Sequence, residues 1–366
     1  MAEDGKAPSK KRQGQFVNHF RDGLFFNPWE SFKEEHAKMT VPLADKTPRE
    51  PVKDVEIAAL ALLSSKPDFE IVRDAWFETR RNVGLTWLGH CTYIIQMYGA
   101  TILTDPNFAQ KCPAPYLFGS AKRLSPVICP VEHFPQLDIV VITAATDDKL
   151  VEESIRDVVR VQPNVKFLVP LGVGETLVEY GVDRSNVQEM DWYDEVEIVG
   201  IRAVCCPSQH LSGKISKGNG SSSALWCSWT FIGPRSRVFY VGSTGYRGCG
   251  RKLFKLSPAE RASIPVCPAF KEIGELYGPI DLALVPVGNY APRAFTGSIQ
   301  SDPCDSVDLF CDLRARQAVA HNWGTFTFGN EEVLQPLRDL ERAMHERGVS
   351  DSEFAVLLFG KTMLYY

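Results

Sequence analysis

The sequence contains no C-x-x-C pair among its ten cysteines, and Cys205 and Cys206 are adjacent. This arrangement suits neither a zinc ribbon nor a disulfide framework, so the thiols are expected to be reduced and mostly in the core. No uninterrupted apolar run approaches the roughly 20 residues that a membrane-spanning helix needs. The opening "MAEDGKAPSKKRQGQ" is acidic at its start and has no apolar h-region, which argues against a secretory signal or an Arg-rich transit peptide. A cytoplasmic, reducing location is the expectation. An excess of positive charge is also missing: the net charge is -5, which gives no global attraction to nucleic acid or anionic membrane. There is no internal repeat. The single low-complexity stretch is "SKGNGSSS" at 216–223, read as a hairpin or surface loop.

What is present is an average globular composition, 44% hydrophobic and 23% charged over 366 residues, enough to bury a large core in one large domain or two ordinary ones. Residues 1–36 read as a polar tail followed by an aromatic amphipathic segment. Within that segment Phe16, Phe20, Leu24 and Phe25 fall near helical spacing until Asn27-Pro28 stops the pattern. Such a stripe suits either a flap packed on the protein's own surface or a partner-binding helix. Residues 37–82 read as a linker with a flanking helix. From 83 to 366 short β-rich runs recur, with helical stretches such as 151–161 and 331–347 between some of them. "DIVVIT" and "DLALVPVG" lack polar alternation, so those strands are expected to be covered on both faces, as two packed sheets with helices outside would cover them.

Several phrases occur in a fixed order: "LTWLGHCTYIIQMYGATILTDP" from Leu85, "PQLDIVVIT" from Pro135, "CPSQH" ending at His210, "GSTGY" from Gly242, "CPAFKEIGELYGPIDLALVPVGNYAPRAF" from Cys267, and "HNWGTF" from His321. Together they resemble the metallo-β-lactamase superfamily, and within it the N-acyl-phosphatidylethanolamine-hydrolysing phospholipase D branch. The resemblance implies a four-layer αβ/βα sandwich with its site at one edge between the sheets. It also implies two zinc ions held by seven side chains. Zinc takes N and O donors at roughly 2.0–2.2 Å, and a pair of ions generates hydroxide and clamps phosphate oxygens.

Carried over position by position, the resemblance finds that ligand set largely gone. The main cluster is a His-x-His-x-Asp-His turn after a strand, and here its four positions read Ala144, Thr146, Asp148 and Lys149. The histidine of "PSQH" is kept as His210. The aspartate of a "GDTGY" phrase is Ser243, and the histidine before the tryptophan of "HWGTF" is Asn322, with His321 one residue earlier and expected to point to the opposite face. Asp148 and His210 remain as a vestigial site, and five of the seven positions lack their donor. Neutral hydroxyls are poor zinc ligands beside imidazole or carboxylate. A lysine near a cation is repelled by about 4 kcal/mol per unit charge at 4 Å and an effective dielectric of about 20. Lys149 can instead neutralise Asp148, so no bound metal is expected and zinc is expected to be lost.

His90 is expected to be satisfied inside the fold and not catalytic, and Cys205 and Cys206 are expected in the core. The segment "RGCGRKLFKLSPAERASIP", 247–265, is an insertion relative to the family. Its Arg247, Arg251, Lys252, Lys255 and Arg261 with Phe254 and Leu256 suit a solvated loop, a lid over the former site, or a basic contact surface for an acidic partner. The expected function is that of an inactive pseudoenzyme serving as a structural or interaction subunit. Its partners would be proteins of a larger, acidic assembly, cytoskeletal or axonemal, held through the N-terminal segment and the insertion. A residual phospholipase D-like hydrolase and a lipid-binding module are the competing classes.

Overall fold

A computed structural model describes residues 19–37, 52–71, 83–114, 119–213 and 222–365. The tail as far as residue 18 and most of "SKGNGSSS" lie outside the described residues. The chain begins with β1 (Phe20–Arg21), β2 (Leu24–Phe25) and α1 (Asp54–Leu62), followed by β3 (Val83–Gly89), β4 (Thr92–Met97), β5 (Ala100–Thr104), β6 (Lys111–Ala114) and β7 (Gly119–Lys122). Next come β8 (Ile139–Val141), α2 (Glu152–Val161), β9 (Lys166–Pro170), α3 (Gly174–Glu179), β10 (Val187–Met190), β11 (Glu195–Ile198), β12 (Ile201–Cys206), β13 (Ser228–Ile232) and β14 (Arg237–Tyr240). The last part holds α4 (Pro258–Ala262), α5 (Ala269–Tyr277), β15 (Ile280–Pro286), α6 (Arg293–Thr296), α7 (Pro303–Asp312), β16 (Ala315–His321), α8 (Gln335–Arg347), β17 (Phe354–Ala355) and β18 (Thr362–Tyr365).

Two seven-stranded mixed sheets result, ordered β10-β9-β8-β5-β4-β3-β18 and β11-β12-β13-β14-β15-β16-β17. The side chains of β8 show how they pack. Ile139 and Val141 join the large inter-sheet core with Trp229, Phe231 and Phe239. Val140 and the following Ile142 point the other way and meet Ile155 and Val158 of α2 and Leu177 of α3. Both faces of this strand are covered, which is why "DIVVIT" carries no polar alternation. Each such aliphatic side chain contributes about 1.5–3 kcal/mol on burial. The sandwich expected from the sequence is thus observed, with helices outside two sheets.

Phe16 lies outside the described residues, and from Phe20 to Phe25 the aromatic segment is a hairpin and not a helix. Asp22 and Gly23 have φ of 54° and 78°, and a two-residue turn with both central residues at positive φ closes a hairpin between β1 and β2. The 3.6-residue spacing of Phe20, Leu24 and Phe25 is therefore coincidental, because an Asp-Gly pair dictates the turn locally. The segment packs on the protein itself. Phe25 pairs with Ser222, Trp29 stacks on Trp192 at 5.8 Å between centroids, and Ser31 Oγ donates to Gln209 Oε1 at 2.5 Å.

The insertion also folds inward, so it does not offer its aromatic and basic groups as one free surface. Arg247 is buried between Asp305 and Asp308 of α7, at 2.9 and 2.8 Å. Arg261 reaches Glu346 of α8 at 2.8 Å, and Leu253 and Leu256 are buried. The Phe254 ring lies under the Arg342 guanidinium at 4.3 Å. Lys252 and Lys255 stay exposed. The physical reason is charge matching with the acidic face of α7 and α8, which twenty residues of sequence around the insertion do not reveal.

Candidate functional site

The turn after β8 is held from its first residue. Thr143 donates its backbone N–H and its hydroxyl to the Asp105 carboxylate at 2.8 and 2.6 Å, and Tyr240 OH donates to the same carboxylate at 2.5 Å. Asp105 is fully buried, and that burial pushes its carboxyl up to about 6 against the opposing charge of Lys149. Ala145 N–H donates to Ser212 Oγ at 2.8 Å, and the Lys149 N–H to the Thr146 carbonyl at 3.0 Å. These bonds keep the frame of the turn whatever its side chains do.

Asp148 uses both oxygens. Oδ1 accepts from Thr146 Oγ1 at 2.7 Å, and Oδ2 faces both His90 Nε2 and Lys149 Nζ, each at 2.8 Å. Burial alone would raise its carboxyl. The Lys149 ammonium and the His90 hydrogen bond outweigh that and hold it well below the usual range. Lys149 is fully buried and also donates to Cys91 Sγ at 2.7 Å. The expected Lys149–Asp148 pairing is therefore present in the geometry.

His90 is fully buried in the turn between β3 and β4, at φ 50°. Desolvation first, and Lys149 second, push its imidazole down to about 4, so it is neutral near pH 7. Its bond to Asp148 makes it part of this cluster, for which its place in "GHCTY" is the one signal in the sequence. His210 donates Nδ1–H to the Ile299 carbonyl at 2.9 Å, which leaves Nε2 as an acceptor, and burial pushes it down to about 4. Ser243 Oγ is buried without a hydrogen-bond partner among the described residues.

His321 points between the sheets, near the rings of Tyr93 and Tyr240 at 5.9 and 5.7 Å. Asn322, at φ 65°, turns to the site and accepts from Asn289 Nδ2 at 3.0 Å. The expected opposition of these two side chains holds. Cys205 and Cys206 are fully buried in β12. Asp148, His210, Asn289, Gln300, Asn322 and Phe328 line a cleft of about 40 Å³, far below the roughly 300–1,000 Å³ of a pocket for a drug-sized ligand.

Zinc does not fit these residues. Both oxygens of Asp148 are engaged by its neighbours, and a buried ammonium lies beside the carboxylate where a dication would need free donors. Among the described residues there is no group of three or more His, Cys, Asp or Glu side chains that could hold a metal ion.

Two mixed sheets flanked by helices, with a polar cleft built on the turn after β8 and on the "PSQH" and "HNWGTF" phrases, define a metallo-hydrolase-type sandwich. Solved structures of that architecture superpose on the chain. An isothiocyanate hydrolase from Delia radicum gut bacteria gives a TM-score of 0.56 at 18% identity over 76% of this chain and 98% of that one. A possible metal-dependent hydrolase from Veillonella parvula gives 0.56 at 15% over 78% and 99%. Both likenesses speak to the fold alone.

Residues 100–323 match the family described as "Beta-lactamase superfamily domain", and the chain belongs to that superfamily. It is 31% identical over 307 residues, 81% of this chain and 80% of the relative, to N-acyl-phosphatidylethanolamine-hydrolyzing phospholipase D 1 of Caenorhabditis elegans. It is 28% identical over 284 residues, 76% of this chain and 55% of the relative, to the mitochondrial enzyme of that name from Saccharomyces cerevisiae.

Proposed function

We propose that this chain is a catalytically inactive member of the superfamily that serves as a structural or interaction subunit of a larger protein assembly. One observation carries the reading: the fully buried Lys149 ammonium beside Asp148 and His90, at 2.8 and 3.3 Å. A carboxylate already neutralised by an internal cation has little electrostatic reason to recruit an external one. The remaining donor, His210, is a single imidazole, and two donors do not make a tight zinc site. The frame of the turn is retained through Asp105, Thr143 and Ser212, as a fold kept for its surface requires. The partner class is a protein assembly with acidic faces, suited to the exposed Lys252 and Lys255 of the insertion.

The test is metal analysis of protein purified without chelator, paired with an assay of N-acyl-phosphatidylethanolamine hydrolysis. Zinc well below one equivalent and no hydrolysis above background are expected. Stoichiometric zinc that disappears in His210→Ala, together with hydrolysis, would replace this reading by a residual hydrolase of the kind its relatives' names describe.

A further inference from the structure

Lys149 Nζ and Cys91 Sγ approach to 2.7 Å. This is inside the distance of about 2.9–3.0 Å typical of N–H···O bonds, although sulfur is the larger atom. Both residues are fully buried. Cys91 is the last residue of the turn between β3 and β4, and Lys149 lies late in the turn after β8, so the pair joins two chain segments 58 positions apart. Asp148 contacts Lys149 Nζ and also lines the cleft. The pair thus sits one side chain behind a surface that a small oxidant can reach.

We propose that Cys91 and Lys149 form an oxidative covalent cross-link in which one oxygen atom bridges Sγ and Nζ, with hydrogen peroxide as the oxidant. The atoms balance in three steps. One peroxide converts the S–H of Cys91 to S–OH and leaves as water, the first rung of thiol oxidation. A second converts one N–H of Lys149 to N–OH, also leaving water. Condensation of the two hydroxyls expels a third water and forms S–O–N. Sulfur and nitrogen each lose two electrons, and each peroxide gains two. The proton released from the ammonium leaves to solvent through the cleft that Asp148 lines. Burial keeps the thiol protonated and slow, so the cross-link accumulates over hours rather than at once. This inference rests on the contact itself and stands whether or not the chain is catalytically inactive.

The experiment exposes the full chain to hydrogen peroxide, digests it without reductant and maps the peptides by mass spectrometry. The expected product is a joined pair of peptides containing Cys91 and Lys149, heavier than their sum by about 14 Da, one oxygen gained and two hydrogens lost. It is separated again by dithiothreitol and absent from Cys91→Ser. A Cys91 peptide carrying only sulfenic or sulfinic oxygen with Lys149 unlinked overturns the proposal, as does a Cys91 peptide that stays unmodified while other cysteines oxidise. Because the wild-type chain supplies the readout, a variant that fails to fold does not shield the proposal.

Discussion

At the level of single side chains, the site is a balance of charges taken out of water. Asp148 is a fifth exposed and Lys149 fully buried, so removing the cation leaves carboxylates facing a low-dielectric interior. Breaking a buried pair by deleting one partner costs about 3–5 kcal/mol. Lys149→Ala is expected near the lower end, because water can still reach Asp148. Urea denaturation measures this, and the double change Lys149→Met with Asp148→Asn should recover most of the loss. A Lys149→Ala loss under about 1 kcal/mol would show the pair to carry little of the turn's stability. The pairing of residues 148 and 149 was legible in the sequence, since an ammonium next to a carboxylate in a buried turn has few other ways to be satisfied. The bonds to His90 and Cys91 were not, because they depend on how the β3–β4 turn meets the β8 turn across the sheet.

Among the elements, the sequence leaves the N-terminal segment open between a flap on its own domain and a partner-binding helix, and the insertion between a loop, a lid and a contact surface; in the structure both are largely committed to the domain. Residues 19–37 put Phe25 and Ala37 into the core and pair His19 with Asp191 at 2.7 Å. Deletion of 1–18 should therefore leave the melting temperature within a few degrees. Deletion of 1–37 should lower it by on the order of 10 °C, given about 1.5–3 kcal/mol for each large buried side chain and about 2–4 °C per kcal/mol in a chain of this size. The shorter deletion is also the right probe for the proposed subunit role. Affinity capture from cell extract should bring down a stable partner with the full chain and less of it with the form lacking 1–18. No stable partner with either form would remove the subunit reading. The strap escaped the sequence because an apolar stripe reports burial without saying whether the element is a helix or a hairpin. The Asp22-Gly23 turn was the local signal that decided it.

For the whole molecule, the buried imidazoles set how stability responds to pH. His90 and His210 are pushed down to about 4 by burial, and burial holds His321 well below its ordinary value. In the unfolded chain a histidine titrates near about 6.5. Between those values the unfolded state binds protons that the folded state refuses, so stability rises with pH and is lost on acidification from about 6.5 to about 4. Asp105 and Asp302 oppose this. Pushed up to about 6 by burial, each keeps a proton in the folded state that the unfolded chain releases above about 4. Three imidazoles against two carboxyls leave about one proton, so these groups together cost on the order of 1.4 kcal/mol per pH unit at the steepest point. Urea midpoints taken from pH 7 to 4.5 should fall accordingly, and His210→Asn should flatten the fall by about one proton. A midpoint that stays level across that range would contradict the burial of these rings.

Chain order was enough to establish the superfamily sandwich and to set Ala144, Thr146, Lys149, Ser243 and Asn322 at positions where the resemblance implies donors. Such phrases and unalternating strands are written in neighbouring residues, and a methyl group cannot coordinate wherever it is placed. Only the folded molecule could decide that His90 and Cys91 close around Lys149, that Arg247 faces Asp305 and Asp308, and that the aromatic strap lies on its own domain. Those contacts join positions 58 or more residues apart, and partners at such separations are chosen by packing and charge in three dimensions.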